Sequence, residues 1–219
     1  MATRAEVYAA IDGERNYQEW VWRQRCAKRG VPYTPDAETL VEDWLIFIKG
    51  HYNVAISQAT HVAGGGDVLD TVRKLAGLCV ACLEVHGGWQ RQLIGTLCDF
   101  HSGRLSRDVV YDLIGCEREF QEGLPWNRTE GRSHGINGYL LLFDTYLKAA
   151  IGHSGWSGYD GSQEALKSIG KLASIAVHCM EDHGAPRRVI DEALYVKPKT
   201  KIMDLVEQAR QKIWRKPWA

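Results

Sequence analysis

Apolar positions along this chain recur at spacings of three and four rather than two. Val7, Ile11, Glu14 and Gln18 are four, three and four apart, which places them on one face of a helix running from about Arg4 to Lys28. Gly30 and Pro32 end that helix. A second begins near Glu38 and continues to about His61, where Gly64-Gly65-Gly66 breaks it. Asp67 is placed to cap a third, which is apolar around most of its circumference (Leu69, Val72, Leu75, Leu78, Cys79, Leu83) and ends at Gly87 in a left-handed cap. The pattern predicts a linking helix from about Trp89 to Phe100. Three more helices follow, from Ser106 to Glu122, from Ile136 to Ile151 and from Ser162 to His183, with Gly184 and Pro186 stopping the last. A Thr200 cap and apolar Ile202, Leu205, Val206, Ala209 and Ile213 predict a final amphipathic helix. Alternating runs are short and hairpin dipeptides scarce, so strands are not expected.

The helices repeat. Residues 7–19, VYAAIDGERNYQE, match residues 110–122, VYDLIGCEREFQE, at seven of thirteen positions. Residues 69–87, LDTVRKLAGLCVACLEVHG, match residues 166–184, LKSIGKLASIAVHCMEDHG, at nine of nineteen. Ordinary residue usage gives about one match per block by chance. A weaker pair lies between them, Leu45 to Ala55 against Leu140 to Ala150, read as sharing a Tyr52/Tyr146 position. The expectation is an all-α chain of two tandem copies of a three-helix module, packed as a pseudo-two-fold helical bundle. Its divisions are a first repeat over 1–103, a second over 104–195 and the C-terminal helix over 196–219.

Composition narrows the function classes. The formal net charge is zero, with 27 basic and 27 acidic residues, so no excess of one sign announces nucleic acid or a membrane surface. No apolar run approaches membrane-spanning length, and the first residues lack a secretory pattern, which predicts a cytoplasmic location. Of the six cysteines, Cys79 and Cys82 form C-x-x-C inside an apolar helical pattern without a second ligand pair, which reads as buried free thiols rather than zinc. The eight Trp imply large apolar contacts, in the core or at an interface.

Candidate chemistry sits on the repeated faces. Glu14 and Gln18 turn inward at the end of an apolar stripe, and Glu117 and Gln121 repeat them. A desolvated carboxylate and amide need partners. They serve either a ligand site between helices or a structural network, with Glu14 tied to Lys74 and Glu117 to Lys171. The third helix carries Lys74, Gly77, Ala81 and Glu84 on its less apolar face, and the later copy carries Lys171, Ser174, His178 and Glu181. The small residues there permit close helix approach or leave room for a ligand. Glu42 and Asp43 open one helix and Asp67 and Asp70 another. Such carboxylates either hold Mg²⁺ or complement helix dipoles.

Glu14-Arg15-Asn16-Tyr17-Gln18, followed by Arg73-Lys74 through Glu84-Val85-His86-Gly87 and the later Gly184-Ala185-Pro186-Arg187, resembles small all-helical proteins of tailed bacteriophages. These in turn are similar to the MazG-like all-α nucleoside triphosphate pyrophosphatases. That resemblance implies a nucleotide-handling phage protein in the cytoplasm of an infected bacterium, able to form homo-oligomers. It implies Mg²⁺ held by Glu42, Asp43, Asp67 and Asp70, with release of pyrophosphate from a (deoxy)nucleoside triphosphate. Glu14, Arg15, Gln18, Lys74 and Glu84, with their copies Glu117, Arg118, Gln121, Lys171 and Glu181, would bind or position the nucleotide. Ile46 stands where the family pattern has a third carboxylate. Two alternatives follow: a non-catalytic protein that sequesters a host immune signalling nucleotide, and an interaction protein that engages a host factor through its Trp residues and final helix.

Overall fold

Thr3 starts the first helix with a reciprocal cap. Its hydroxyl accepts from the Glu6 N–H while its own N–H donates to the Glu6 carboxylate at 2.8 Å. The computed structural model describes residues 1–32, 39–60, 65–92, 98–124, 134–155 and 159–188. The helices are α1 (Arg4–Arg29), α2 (Val41–Thr60) and α3 (Gly65–His86), then α4 (Arg107–Glu122), α5 (Ile136–Ser154) and α6 (Tyr159–His183). Ser106 caps α4 as Thr3 caps α1. Because α3 already begins at Gly65, Asp67 lies inside its first turn and not at its cap. The chain divides into two units, Met1–Arg188 and Val189–Ala219. The amphipathic helix expected in the tail, and Glu38, lie outside the described residues.

The fold is mostly helical, with one correction. Between α3 and α4 the expected linking helix is an antiparallel hairpin, β1 (Gly87–Arg91) paired with β2 (Cys98–Ser102). Adjacent Gly87 and Gly88 are poor helix residues, and Gly87 turns the chain at φ 89°. Trp89 then sits directly opposite Phe100 with ring centroids 5.3 Å apart, a cross-strand aromatic pair.

α3 and α6 form the centre. α3 packs against α1, α2 and α6, while α6 packs against α3, α4 and α5. Leu75, Cys79, Val80 and Leu83 on α3 are buried, as are Ile169, Leu172, Ala176 and Met180 on α6. Burying each large aliphatic side chain contributes about 1.5–3 kcal/mol.

Contacts between the halves come in matching pairs. Tyr8 and Tyr111 stack at 4.4 Å; the Tyr8 hydroxyl donates to the Tyr111 carbonyl, while the Tyr111 hydroxyl donates to Asp12 at 2.8 Å and lies 3.5 Å from the Tyr8 carbonyl. Arg4 reaches Glu122 and Glu181 at 2.6 and 2.8 Å, while Arg107 reaches Glu19 and Glu84 at 2.7 and 2.6 Å. The Ala2 N–H donates to the Glu181 carbonyl and the Leu105 N–H to the Glu84 carbonyl. The middle helices correct the sequence register. Buried Trp44, Leu45, Ile48, Tyr52 and Ala55 correspond in spacing to buried Tyr139, Leu140, Phe143, Leu147 and Ala150. Tyr52 therefore matches Leu147, and Tyr146 takes the place of His51.

Among the described residues no helix is long and apolar enough to cross a membrane. Cys79, Cys82 and Cys179 are buried free thiols, and burial pushes the first two well up and Cys179 up to about 12. Trp44 is buried, whereas Trp20 and Trp22 are partly exposed, so the tryptophans divide between core and surface. His51 gives a pH prediction. Burial, with the Lys74 ammonium nearby, lowers its pKa below the ordinary 6.5. The unfolded chain takes up this proton more readily, so the contribution of His51 to stability is complete above pH 6.5 and declines on acidification through the folded pKa. Urea unfolding at pH 7.5 and 5.5 should show wild type losing more stability than His51→Gln.

Candidate ligand-binding site

The inward stripe of α1 is buried as its spacing requires: Val7 and Ile11 are inaccessible and Glu14 is 2% exposed. α1 comes so close to α3 that a methyl group on Gly77 would stand 3.0 Å from Gln18 Nε2 and 3.2 Å from Glu14 Cγ. Small residues here serve close approach. The partner of Glu14 is Arg73, whose Nε donates at 3.2 Å, rather than the expected Lys74. Residues 73 and 74 differ by about 100° around the helix, and 73 is the one facing α1. Gln18 donates to Glu14 at 3.4 Å. Arg15 binds Glu84 at 2.6 Å, a tie between α1 and α3 that Arg107 extends.

A comparable set of contacts joins α4 to α6 and β1. Arg118 binds Glu181 at 2.7 Å. Gln121 donates to Glu117 at 3.3 Å and accepts from the Ser174 hydroxyl at 3.0 Å. Glu117 pairs with Arg91 at 2.6 Å, not with the expected Lys171, because β1 carries the arginine across α4. The Arg91 guanidinium also lies 3.8 Å over the Phe120 ring.

Between β1, α4 and α6 lies a recess of about 20 Å³, room for one or two water-sized groups. Its floor is apolar (Leu83, Leu113, Ile114, Leu166), and Gly88 and Gly170 leave it open. Trp89, Arg91, Glu117, Lys167 and Lys171 complete the wall. Arg91 is paired there with Glu117 and Lys167 with Glu164, so the cations exceed the carboxylates by one, Lys171. The Lys171 ammonium sits 5.1 Å from the Tyr146 ring and, among the described residues, has no carboxylate within ion-pair distance. Burial lowers its pKa, with Arg91 and Lys167 adding to the effect and Glu117 and Glu164 opposing it. Lys167 reaches Glu164 at 3.5 Å and lies 5.4 Å over the Trp89 ring. Trp89 is fixed by its indole N–H, which donates to the Gln163 carbonyl at 2.9 Å. The recess is thus a partly desolvated, positively charged pocket with an aromatic wall.

Of the candidate residues, Glu117 and Lys171 meet in this recess, with Gln121 bound to Glu117. Glu14 and Gln18 stand at the matching positions of α1, where Arg15 belongs to the ion pair with Glu84 and Lys74 is partly buried beside His51. Glu84, Arg118 and Glu181 belong to the ion pairs joining helices. The proposed Mg²⁺ ligands do not come together. α2 and α3 run antiparallel, with His86 bonded to the Thr39 carbonyl at one end and Thr71 to Gln58 at the other. Glu42 and Asp43 stand at the first end and Asp70 at the second, about 20 Å apart along the helix. Asp43 accepts from the Leu40 N–H at 3.3 Å, and Asp70 pairs with Arg73 at 2.7 Å. The Asp67 side chain lies outside the described residues. Among the described residues no group of three or more His, Cys, Asp or Glu is arranged to hold a metal ion.

Trp89, Arg91, Lys167 and Gly170 are absent from the sequence-based candidates. Continuing the repeat four residues past Gly87 would have aligned Arg91 with Arg188, which lies 3.7 Å over the Tyr17 ring as Arg91 lies over Phe120. Comparison with protein-family models, curated proteins and solved structures finds no match to this chain.

Proposed function

We propose that the chain is one helical module used twice and that its second half binds a small phosphate-bearing anion of the nucleotide class. The paired caps, the reciprocal Tyr8–Tyr111 contact and the matching ion pairs support the duplicated arrangement. The observation that carries the binding reading is the recess itself, where the Lys171 ammonium stands beside the Arg91–Glu117 and Lys167–Glu164 pairs and the Trp89 ring. Phosphate oxygens satisfy several cationic donors at once. The small volume admits one or two oxygens of a phosphoryl group and leaves the rest of the ligand at the mouth. Binding is favoured over Mg²⁺-dependent pyrophosphate release because the carboxylates proposed for that ion are divided between opposite ends of the α2–α3 pair.

Calorimetry with inorganic phosphate, nucleoside mono- and triphosphates and a cyclic dinucleotide tests this reading. One of these should bind with one site per chain, more weakly at high salt, and be recovered unchanged. Lys171→Ala should weaken it by about tenfold or more, the usual cost of a charge-assisted hydrogen bond. Affinity should also fall as pH rises, beginning below the range of an ordinary lysine, because anion binding requires the protonated ammonium. No binding by any probe overturns the reading, and pyrophosphate among the products replaces it with the hydrolase.

A further inference from the structure

The environment of Arg73 explains why the two halves differ. Its guanidinium contacts the Glu14 carboxylate, the Asp70 carboxylate at 2.7 Å and the Pro186 carbonyl at 2.6 Å. In the repeat these three positions correspond to Glu117, Lys167 and Trp89, and all three line the recess of the second half. Position 73 itself corresponds to Gly170, also a lining residue. The recess is therefore the space that an arginine fills in the other copy. The charge is reversed at one of these positions. Where the first half holds Asp70 to receive a cation, the second half holds Lys167, which repels one and attracts an anion.

We infer that the first half carries a second copy of the ligand site, closed by its own Arg73, and that the residue at position 73 or 170 determines whether a half binds ligand. This rests on the anion-binding reading and adds that there is one open site per chain. It also makes each site composite. Arg91, which follows α3, serves the second-half site beside Glu117 and Phe120, while Arg188, which follows α6, stands 3.9 Å from Glu14 and over Tyr17 in the first. Each half thus supplies the arginine of the other.

Two measurements test this. In Lys167→Asp with Gly170→Arg, the second half reproduces the Asp70–Arg73 pair of the first. Nothing lies within 4 Å of a Cβ at position 170, so the new side chain can start without displacing its neighbours. This variant should keep its circular dichroism and lose about 100-fold or more of the affinity for the phosphate probe bound by wild type. Wild-type binding with unchanged affinity in the variant overturns the inference while leaving an anion-binding protein. The second measurement needs no ligand. Arg73→Gly vacates the cage of Glu14, Asp70 and the Pro186 carbonyl, so millimolar guanidinium or methylguanidinium should raise its Tm and leave wild type unchanged. The absence of this rescue in a folded Arg73→Gly protein shows that the cage is not a closed site and overturns the inference. If no probe binds wild type, the anion reading fails and the rescue still decides whether Arg73 fills a preformed cavity.

Discussion

Glu14→Ala is expected to destabilise the protein by about 3 kcal/mol, whereas Glu117→Ala, at the matching position, should cost about 1 kcal/mol or less. The two carboxylates occupy the same place in the repeat, and their partners decide the difference. Arg73 is 1% exposed, so once Glu14 is gone its Nε–H is left buried without its acceptor and the guanidinium keeps only one of its two carboxylates. Removing one partner of a buried pair typically costs about 3–5 kcal/mol. The lower end applies here because Arg73 Nη1 keeps Asp70 and the Pro186 carbonyl. Arg91 retains 21% exposure of its side chain and a stacking contact on Phe120, and solvent can take over from Glu117. Urea unfolding at pH 7 measures both. Equal losses would show that Arg73 reaches solvent in the folded protein. Replacing Glu14 and Arg73 together by Leu and Met should recover most of the loss, since a buried ion pair and an apolar pair of similar volume are of comparable stability.

The same comparison shows what was legible in the sequence. The inward direction of Glu14 follows from its spacing to Val7 and Ile11, because one helix has one periodicity. Its partner does not follow, since nothing in the sequence sets the rotation of α3 relative to α1, and Arg73 and Lys74 are neighbours. The starts of α1 and α4 were legible to within a residue, and the structure shows local caps, Thr3 and Ser106, at both. The hairpin was missed because its stabilising contact, Trp89 against Phe100, becomes visible only when two distant residues are paired. Glu117 and Lys171 could be nominated from repeated faces. Gly170 could not, because as a lone mismatch with Arg73 it carries no chemistry until the filled and open spaces are compared. Glu42 and Asp43 lie in the first turn of α2, where the dipole alone favours acidic residues, and only the antiparallel pairing of α2 and α3 shows their separation from Asp70.

Gly87→Ala should produce the other large effect, and it couples stability to binding. Gly87 adopts φ 89°, and a Cβ there would stand 2.0 Å from the His101 carbonyl oxygen on the paired strand. The left-handed conformation alone costs an L-residue about 1–2 kcal/mol. The obstruction is backbone rather than a flexible side chain, so β2 must move away from β1, and a total loss of at least about 3 kcal/mol is expected. Gly103 provides the control. Its φ is 80°, yet nothing lies within 4 Å of a Cβ there, so Gly103→Ala should cost about 1 kcal/mol from backbone conformation alone. The functional consequence separates the two variants further. β1 presents Trp89 and Arg91 to the recess, and Trp89 is anchored on α6 through the Gln163 carbonyl. Displacing β1 withdraws the aromatic wall and one of three cations while α4 and α6 retain Glu117, Lys167 and Lys171. Gly87→Ala should therefore weaken the phosphate probe by more than tenfold at a temperature where circular dichroism shows the helices intact, with altered Trp fluorescence. Gly103→Ala should bind as wild type does. If Gly87→Ala also bound normally, the hairpin would not be part of the site, and the recess would owe its affinity to the two lysines of α6 alone.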